Sequence, residues 1–170
     1  HLIYGASVLH GQAELVLVET LLGRGLNRTI VVGMVDNVTR EARDRLPSAL
    51  SGQGFEFPKG KILFNLAPAE IPKGGIPQDL ALALSLLCAS QQINPPAGKW
   101  LCLGELSLTG KIRPPARGTL LAAMAIGDDF RGVITAPESA REAALAPGVK
   151  AYSAPDLATA ATILNNPGKA

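Results

Sequence analysis

The sequence contains few of the residues that build many functional sites. Its 170 residues include only seven aromatics, two cysteines and two histidines. Two cysteines are too few for a disulfide scaffold, and the only histidines, His1 and His10, give no zinc-site spacing. We therefore expect no metal site in this chain. The scarcity of aromatic side chains also argues against a surface that stacks nucleic-acid bases.

Long hydrophobic runs are missing as well. The longest run, residues 80–89, contains a serine and is too short to span a bilayer. No secretory signal precedes the first strand-like segment, so we expect a cytoplasmic protein with no membrane partner. Cys88 and Cys102 both lie in apolar runs, which indicates small core side chains in a reducing compartment.

Small aliphatic side chains and turn residues are abundant. Alanine and leucine each occur 25 times, glycine 18 times and proline 13 times, while charged residues make up 18% and the net charge is +2. Such a composition excludes a disordered chain. The length fits one compact, turn-rich domain.

The apolar patterns place most strands early and alternate helices with strands later. Strands are predicted at residues 2–9, 13–19, 29–34, 61–66, 100–108, 111–113, 132–135 and 149–152, and helices after Asp36 or Asn37 and at residues 78–91, 117–126, 139–145 and 155–164. This order favours an α+β fold, a mixed sheet packed with helices, over a doubly wound sheet. Residues 166–170 are typical of the start of a linker.

Three details of the helices and loops are predicted from single residues. The first helix buries one face made of Val38, Ala42, Leu46, Ala49 and Leu50. Pro47 is expected to bend or shorten this helix. Residues 21–27 are predicted to form a loop, and Pro155 is expected in the first turn of the last helix.

Two groups of basic residues are candidate contacts for nucleic acid or a partner. The first helix carries Arg40, Arg43 and Arg45 with two acids among them, which is more typical of a salt-bridged, solvated face. The second group consists of Lys111, Arg113 and Arg117 and has no acid within it. The candidate contacts are Arg113, Arg117, Lys111, Arg40, Arg43 and Lys73, the last in a turn that is expected to be exposed.

No nucleotide or catalytic-triad motif is present. The run from Gly104 to Lys111 superficially resembles a phosphate-binding loop, but its glycine spacing is wrong and Ile112 replaces the magnesium-binding hydroxyl. We therefore expect no bound cofactor. A more informative feature is the glycine-rich loop 68–77, which enters an apolar helix at a position where amides favour an anion or oxyanion.

Ordered motifs along residues 4–165 carry a family resemblance. They are Val32-Gly-Met-Val-Asp36, Arg43-Asp-Arg45, Phe55-Glu-Phe-Pro58, Asn65-Leu-Ala-Pro-Ala-Glu70, Pro72-Lys-Gly-Gly75, Asp79-Leu80 and Leu103-Gly-Glu-Leu-Ser-Leu-Thr-Gly110. Together they resemble the N-terminal domain of the ComM/YifB family, the magnesium-chelatase-like AAA+ proteins.

The resemblance implies a fold, a context and partners. The implied fold is that of the Lon-protease domain, which a ribosomal protein domain shares. Residues 1–165 are expected to form it as a single accessory domain. The family resembles hexameric DNA motors associated with branch migration in natural transformation. Its ATP and Mg²⁺ site lies in a C-terminal ATPase domain, so the implied partners are that domain, further copies of the chain and DNA.

The resemblance also implies where peptidase chemistry would lie. The place of the Lon serine falls at or beside Pro77, and the next serine, Ser85, lies two turns into the helix. After Pro114 no lysine follows until Lys150, so the nucleophile would lack its base. Asp79 is expected to fill the positive end of the helix.

We therefore expect no catalytic residue, and a non-catalytic accessory domain rather than an enzyme. The alternatives are a Lon-type Ser-Lys peptidase that uses other residues, and a partner domain of a magnesium chelatase. Glu105 is expected to pair with an arginine in a structural role.

Overall fold

The computed structural model describes residues 2–33 and 35–169. Its strands are β1 Ile3–Leu9, β2 Gln12–Gly23, β3 Arg28–Val32, β4 Lys61–Ala67, β5 Lys99–Leu103, β6 Glu105–Leu106, β7 Ile112–Arg113, β8 Phe130–Thr135 and β9 Ala151–Ser153. Its helices are α1 Asn37–Gly52, α2 Asp79–Ala89, α3 Thr119–Met124, α4 Pro137–Ala143 and α5 Leu157–Asn165, followed by a 3₁₀ turn at Pro167–Lys169.

Seven strands form one mixed sheet in the order β3-β4-β2-β1-β5-β8-β9. The pairs β1–β2 and β2–β4 are antiparallel, and the other neighbours are parallel. The strands β6 and β7 form a separate antiparallel hairpin. The predicted α+β class with a mixed sheet is confirmed.

Alternating side chains build a core on each face of the sheet. One core packs α1, α2 and α5 against side chains such as Phe64 and Trp100. The other packs α3 and α4 against side chains such as Leu101 and Val133. The helix α2 is buried from Asp79 to Leu87, as its apolar sequence predicts, and it forms the centre of the first core.

The first helix differs from its prediction in two ways. Asp36 caps α1, and its carboxylate accepts from the backbone N–H and the hydroxyl of Thr39, both at 2.9 Å. This cap turns Thr39 inward and leaves Val38 47% exposed, so the prediction that Val38 belongs to the buried face is wrong. Pro47 does not shorten the helix, which continues to Gly52, because Pro47 lies on the exposed side, where a freed carbonyl can bind water.

Several predicted boundaries move. The strand β2 continues to Gly23, so the predicted loop at residues 21–27 starts too early, because β4 pairs with β2 as far as Gly23. Asp156 caps α5 by accepting from Thr159, which places Pro155 outside the helix rather than in its first turn. The predicted strand end at Met34, residue His1 and the last linker residue Ala170 lie outside the described residues. Within the described residues, no helix has the length and apolar character that crossing a membrane requires.

Candidate functional site

The loop between β4 and α2 is held against β1 by a serine. The Ser7 hydroxyl lies 2.7 Å from the Pro72 carbonyl oxygen, to which it donates, and accepts from the Gly74 N–H at 3.1 Å. The Val8 N–H donates to the Gly74 carbonyl at 3.0 Å. Gly75 has a φ of 81°, and a Cβ there would lie 1.9 Å from the Val8 carbonyl oxygen. These contacts fix the path by which the chain enters α2.

Lys73 is the centre of this loop and not a surface residue. Its side chain is 1% exposed, and its Nζ donates to the carbonyl oxygens of Pro68 and Ile71. Burial lowers the pKa of this ammonium group, and Glu70 partly opposes the shift. The expectation that Lys73 contacts nucleic acid or a partner from an exposed turn is therefore corrected: the loop carbonyls fold around the amine and satisfy it internally.

Asp79 joins three elements at the start of α2. Its carboxylate accepts from the Arg45 guanidinium at 2.8 and 3.1 Å and from the Leu106 N–H at 3.1 Å. Arg45 also lies 3.5 Å from Glu105, which confirms the predicted pairing of Glu105 with an arginine. Asp79 lies in the first helical turn as predicted and is fully buried.

The charges of this network depend on one another. Burial raises the pKa of the Asp79 carboxyl, and the hydrogen bonds from Arg45 and Leu106 oppose that shift. The hydrogen bond to Asp79 raises the pKa of the Arg45 guanidinium. The ion pair links α1 to α2, and the hydrogen bond from Leu106 links both helices to the β6–β7 hairpin. The carboxylate oxygens of Asp79 therefore already accept structural hydrogen bonds.

The implied serine position, Pro77, has no nucleophilic side chain, and the Ser7 hydroxyl, which contacts the same loop, is already bound to Pro72 and Gly74. Pro77 is half-buried and precedes Gln78, whose Nε2 donates to the Ala6 carbonyl at 2.6 Å. Two buried atoms within residues 2–33 and 35–169 have no hydrogen-bond partner, Gln78 Oε1 and Thr119 Oγ1. Sequence reasoning missed both, since neither residue type stands out in its segment.

Ser85, the next serine along the chain after Pro77, lies in a groove. Ser85 is 7% exposed, and its hydroxyl lies 2.6 Å from that of Thr20. Both line a groove of about 680 Å³ that also contains Asn65, Glu19 and Cys88 among apolar side chains. Asn65 donates to Glu19 at 3.1 Å. No sequence motif predicts this groove, because its polar residues lie on separate strands and one helix.

The two thiols are free. Cys102 is buried, as predicted, whereas Cys88 is only half-buried. Burial raises the pKa of the Cys88 thiol to about 11 and raises that of Cys102 as well. Among the residues that the structure describes, no three His, Cys, Asp or Glu side chains form a group able to hold a metal ion.

The predicted basic contacts differ in exposure and in their partners. Lys111, Arg113 and Arg117 are all exposed, but Lys111 forms a β-bridge with Asp156, an acid distant in sequence. On α1, Arg40 is exposed and donates to Asn37 at 3.1 Å. Arg43 pairs with Asp44 at 3.0 Å, which agrees with a salt-bridged face.

A comparison with known protein families identifies the class. The family model described as subunit ChlI of Mg-chelatase matches residues 18–139. The chain belongs to this magnesium-chelatase-like family.

Individual relatives narrow the family to its ComM/YifB members. The chain is 34% identical over 169 residues to the competence protein ComM of Haemophilus influenzae, covering 99% of this chain and 33% of the relative. It is 36% identical over 151 residues to the YifB protein of Escherichia coli, covering 84% and 29%. For YifB of Salmonella typhimurium it is 37% identical over 147 residues, covering 85% and 28%. The predicted family is confirmed, and the chain spans about a third or less of the curated relatives it matches.

Proposed function

We propose that these residues form a non-catalytic, N-terminal accessory domain of a ComM/YifB-type AAA+ protein, with a fold of the Lon-protease type. In this proposal the domain packs on the ATPase domain of its own longer chain within a cytoplasmic hexamer. ATP and Mg²⁺ then bind only to that ATPase domain. The observation that carries the proposal is the buried Arg45–Asp79 pair at the start of α2.

The pair supports a structural use of this helix start. A serine nucleophile needs an adjacent base and an unoccupied group of donors for the developing oxyanion. Here the residue at the implied serine position is Pro77, and the Leu106 N–H already donates to Asp79. The nearby amine, Lys73, donates to two carbonyl oxygens and is unsuited to accept a proton from a hydroxyl.

DNA contact is the second part of the proposal. Lys111, Arg113 and Arg117 are exposed, and exposed cations of this kind bind phosphates in a salt-dependent way. Arg40 and Arg43 contribute less, because Asn37 and Asp44 already bind them. DNA is proposed as the partner because the ComM/YifB resemblance implies a DNA motor.

Peptidase activity is tested by incubating the chain with casein and with a serine-reactive phosphonate. We expect no cleavage and no labelled serine. Labelling of Ser85 or any other serine, lost in the corresponding Ser→Ala variant, would overturn the non-catalytic assignment in favour of a Lon-type peptidase.

DNA contact is tested by measuring affinity for forked and single-stranded DNA across a range of salt concentrations. We expect the Arg113→Ala, Arg117→Ala double variant to bind more weakly and to show a shallower salt slope. The matched control is Arg131→Ala with Lys150→Ala, two exposed cations at a different site. Equal binding by the native chain and the Arg113, Arg117 variant would remove this surface from DNA contact.

A further inference from the structure

Four exposed cations gather at one end of the sheet, where β2, β3 and β4 meet their loops. They are Arg24, Arg28, Lys59 and Lys61, and we call this surface the basic end. The two loops that carry them are bound together. The Arg28 N–H donates to the Gly60 carbonyl at 3.1 Å, and the Gly60 N–H donates to Asn27 Oδ1 at 2.7 Å.

The strand register places these cations in a row. Lys61 pairs with Gly23 on one side and with Arg28 on the other, and Arg24 follows Gly23 directly. Because neighbouring strands lie about 4.8 Å apart, three of the cations follow one another across the end of the sheet. A row of closely spaced positive charges is suited to successive phosphates of one backbone.

These charges are not neutralised by the protein. Within the described part of the chain, no ion pair involves any of the four cations, since the pairs found there use Arg43, Arg45 and Lys99. The nearest acid along either loop is Glu56, three residues before Lys59, and it forms none of the ion pairs found among the described residues. The basic end, with four cations and one nearby acid, therefore presents net positive charge to solvent.

A hollow beside the cations adds an aromatic ring. It has a volume of about 250 Å³ and is lined by Asn27, Arg28, Thr29, Phe57, Pro58, Lys59 and Gly60. Cations that bind phosphates beside a ring that accepts a base are the combination found in sites for single-stranded nucleic acids. Phe57 is half-buried, packs partly against the first core and lines the hollow with its remaining surface, whereas a membrane anchor has to project its apolar side chain.

We propose that the basic end is a binding site for a single-stranded nucleic acid, with phosphates on the four cations and one base against Phe57. This site is separate from the Lys111, Arg113 and Arg117 group. Gly118, next to Arg117, lies against the Val8 side chain, and Val8 pairs with Ala13 near the other end of β2 from Gly23. Ten residues of strand therefore separate Arg117 from the basic end by about 33 Å, whereas Lys111 lies nearer, because the adjacent Gly110 contacts Gln53 at the end of α1.

The test measures fluorescence anisotropy of a labelled oligothymidylate of about 20 nucleotides with the chain of residues 1–170. In the Arg28→Glu, Lys59→Glu variant we expect affinity at about 100 mM salt to fall at least about tenfold, and the salt slope to fall by about 1.4 for two lost contacts. Phe57→Leu keeps an apolar side chain in the hollow. It is expected to weaken binding about fivefold or more with an unchanged salt slope.

The matched control is Arg131→Glu with Lys150→Glu, which makes the same change in net charge at other exposed positions. Binding by this control within about twofold of the native chain supports the proposal. An equal loss in the control, or native-like binding by the Arg28, Lys59 variant, overturns it.

Two further arms separate the ligand classes. Anionic phospholipid vesicles address the membrane alternative, for which Leu26, 85% exposed between the arginines, would be the inserted side chain. Vesicle binding that is lost in the Arg28, Lys59 variant, without oligothymidylate binding, overturns the proposal. The Arg113→Ala, Arg117→Ala variant is measured in parallel. Loss of binding in this variant alone means that the basic end is not the site, and loss in the Arg28, Lys59 variant alone means that the DNA contact assigned to Arg113 and Arg117 is wrong.

Discussion

The cations beside α2 and the cations at the ends of the sheet have different partners. Arg45 and Lys73 point inward, where a carboxylate and two loop carbonyls satisfy them. Arg113 and Arg28 are exposed, and neither is in an ion pair within the described residues. The inward set stabilises the fold, and the outward set keeps its charge available for a ligand. Substitutions in the inward set should therefore lower the free energy of unfolding, whereas substitutions in the outward set should weaken ligand binding and leave stability nearly unchanged.

The largest effect on stability is expected from Asp79→Ala. This change leaves the partly buried Arg45 guanidinium and the Leu106 N–H without their shared acceptor. Breaking such a buried pair costs about 3–5 kcal/mol of the free energy of unfolding. The measurement is urea denaturation followed by circular dichroism.

Asp79→Asn is the matched control for this prediction. An amide oxygen still accepts one of the hydrogen bonds, so we expect less than half of the loss seen for Asp79→Ala. A cost below about 1 kcal/mol for Asp79→Ala would mean that the pair acts as an ordinary exposed salt bridge, which contradicts its structural role.

Lys73→Met should give an intermediate loss of stability. The Pro68 and Ile71 carbonyl oxygens lose their donor, at a cost of about 2 kcal/mol. The loss should grow with pH. The pKa of Lys73 is lowered in the folded state, so the unfolded chain binds more protons between that lowered pKa and the ordinary value of 10.5, and the native chain gains stability as pH rises there.

The measurement is the free energy of unfolding of both chains at several pH values between neutrality and pH 10. The Lys59→Met variant, which loses an exposed amine, is the control and should change the free energy of unfolding by about 0.5 kcal/mol or less. A Lys73→Met cost that is constant or shrinks with pH would contradict the inward placement of this amine.

The smallest effect on stability is expected from Arg113→Ala with Arg117→Ala. Both side chains are exposed, so the free energy of unfolding should change by about 0.5 kcal/mol or less. Thermal denaturation of the double variant against the native chain checks this. A loss comparable to that of Lys73→Met would place these arginines in the structural set.

The sequence predicts the elements better than their ends. The apolar run of α2 identifies a buried helix, and the motif residue Asp36 is a strong cap. The extent of β2 was missed, because its last residues are ordered by pairing with β4, a contact between distant segments. Val38 was misplaced since the hydrogen bonds of Thr39 with Asp36 outweigh the apolar pattern.

The candidate site was predictable only in part. The position of Asp79 in the first turn of α2 follows from the sequence, and the pairing of Glu105 with an arginine was anticipated. The inward turn of Lys73 was not, because flanking glycine and proline residues are as typical of an exposed turn as of a loop that wraps around an amine. The basic end was missed because its cations come from two segments that meet only in the folded chain.

The division into inward and outward cations is tested most directly by lysine acetylation of the native chain, read out at each residue by mass spectrometry. We expect rapid acetylation of Lys59, Lys61 and Lys111 and none of Lys73 on the same timescale, although a lowered pKa alone would make the Lys73 amine more reactive. Oligothymidylate should protect Lys59 and Lys61 and leave Lys73 unchanged. Acetylation of Lys73 as fast as the other three would contradict the account.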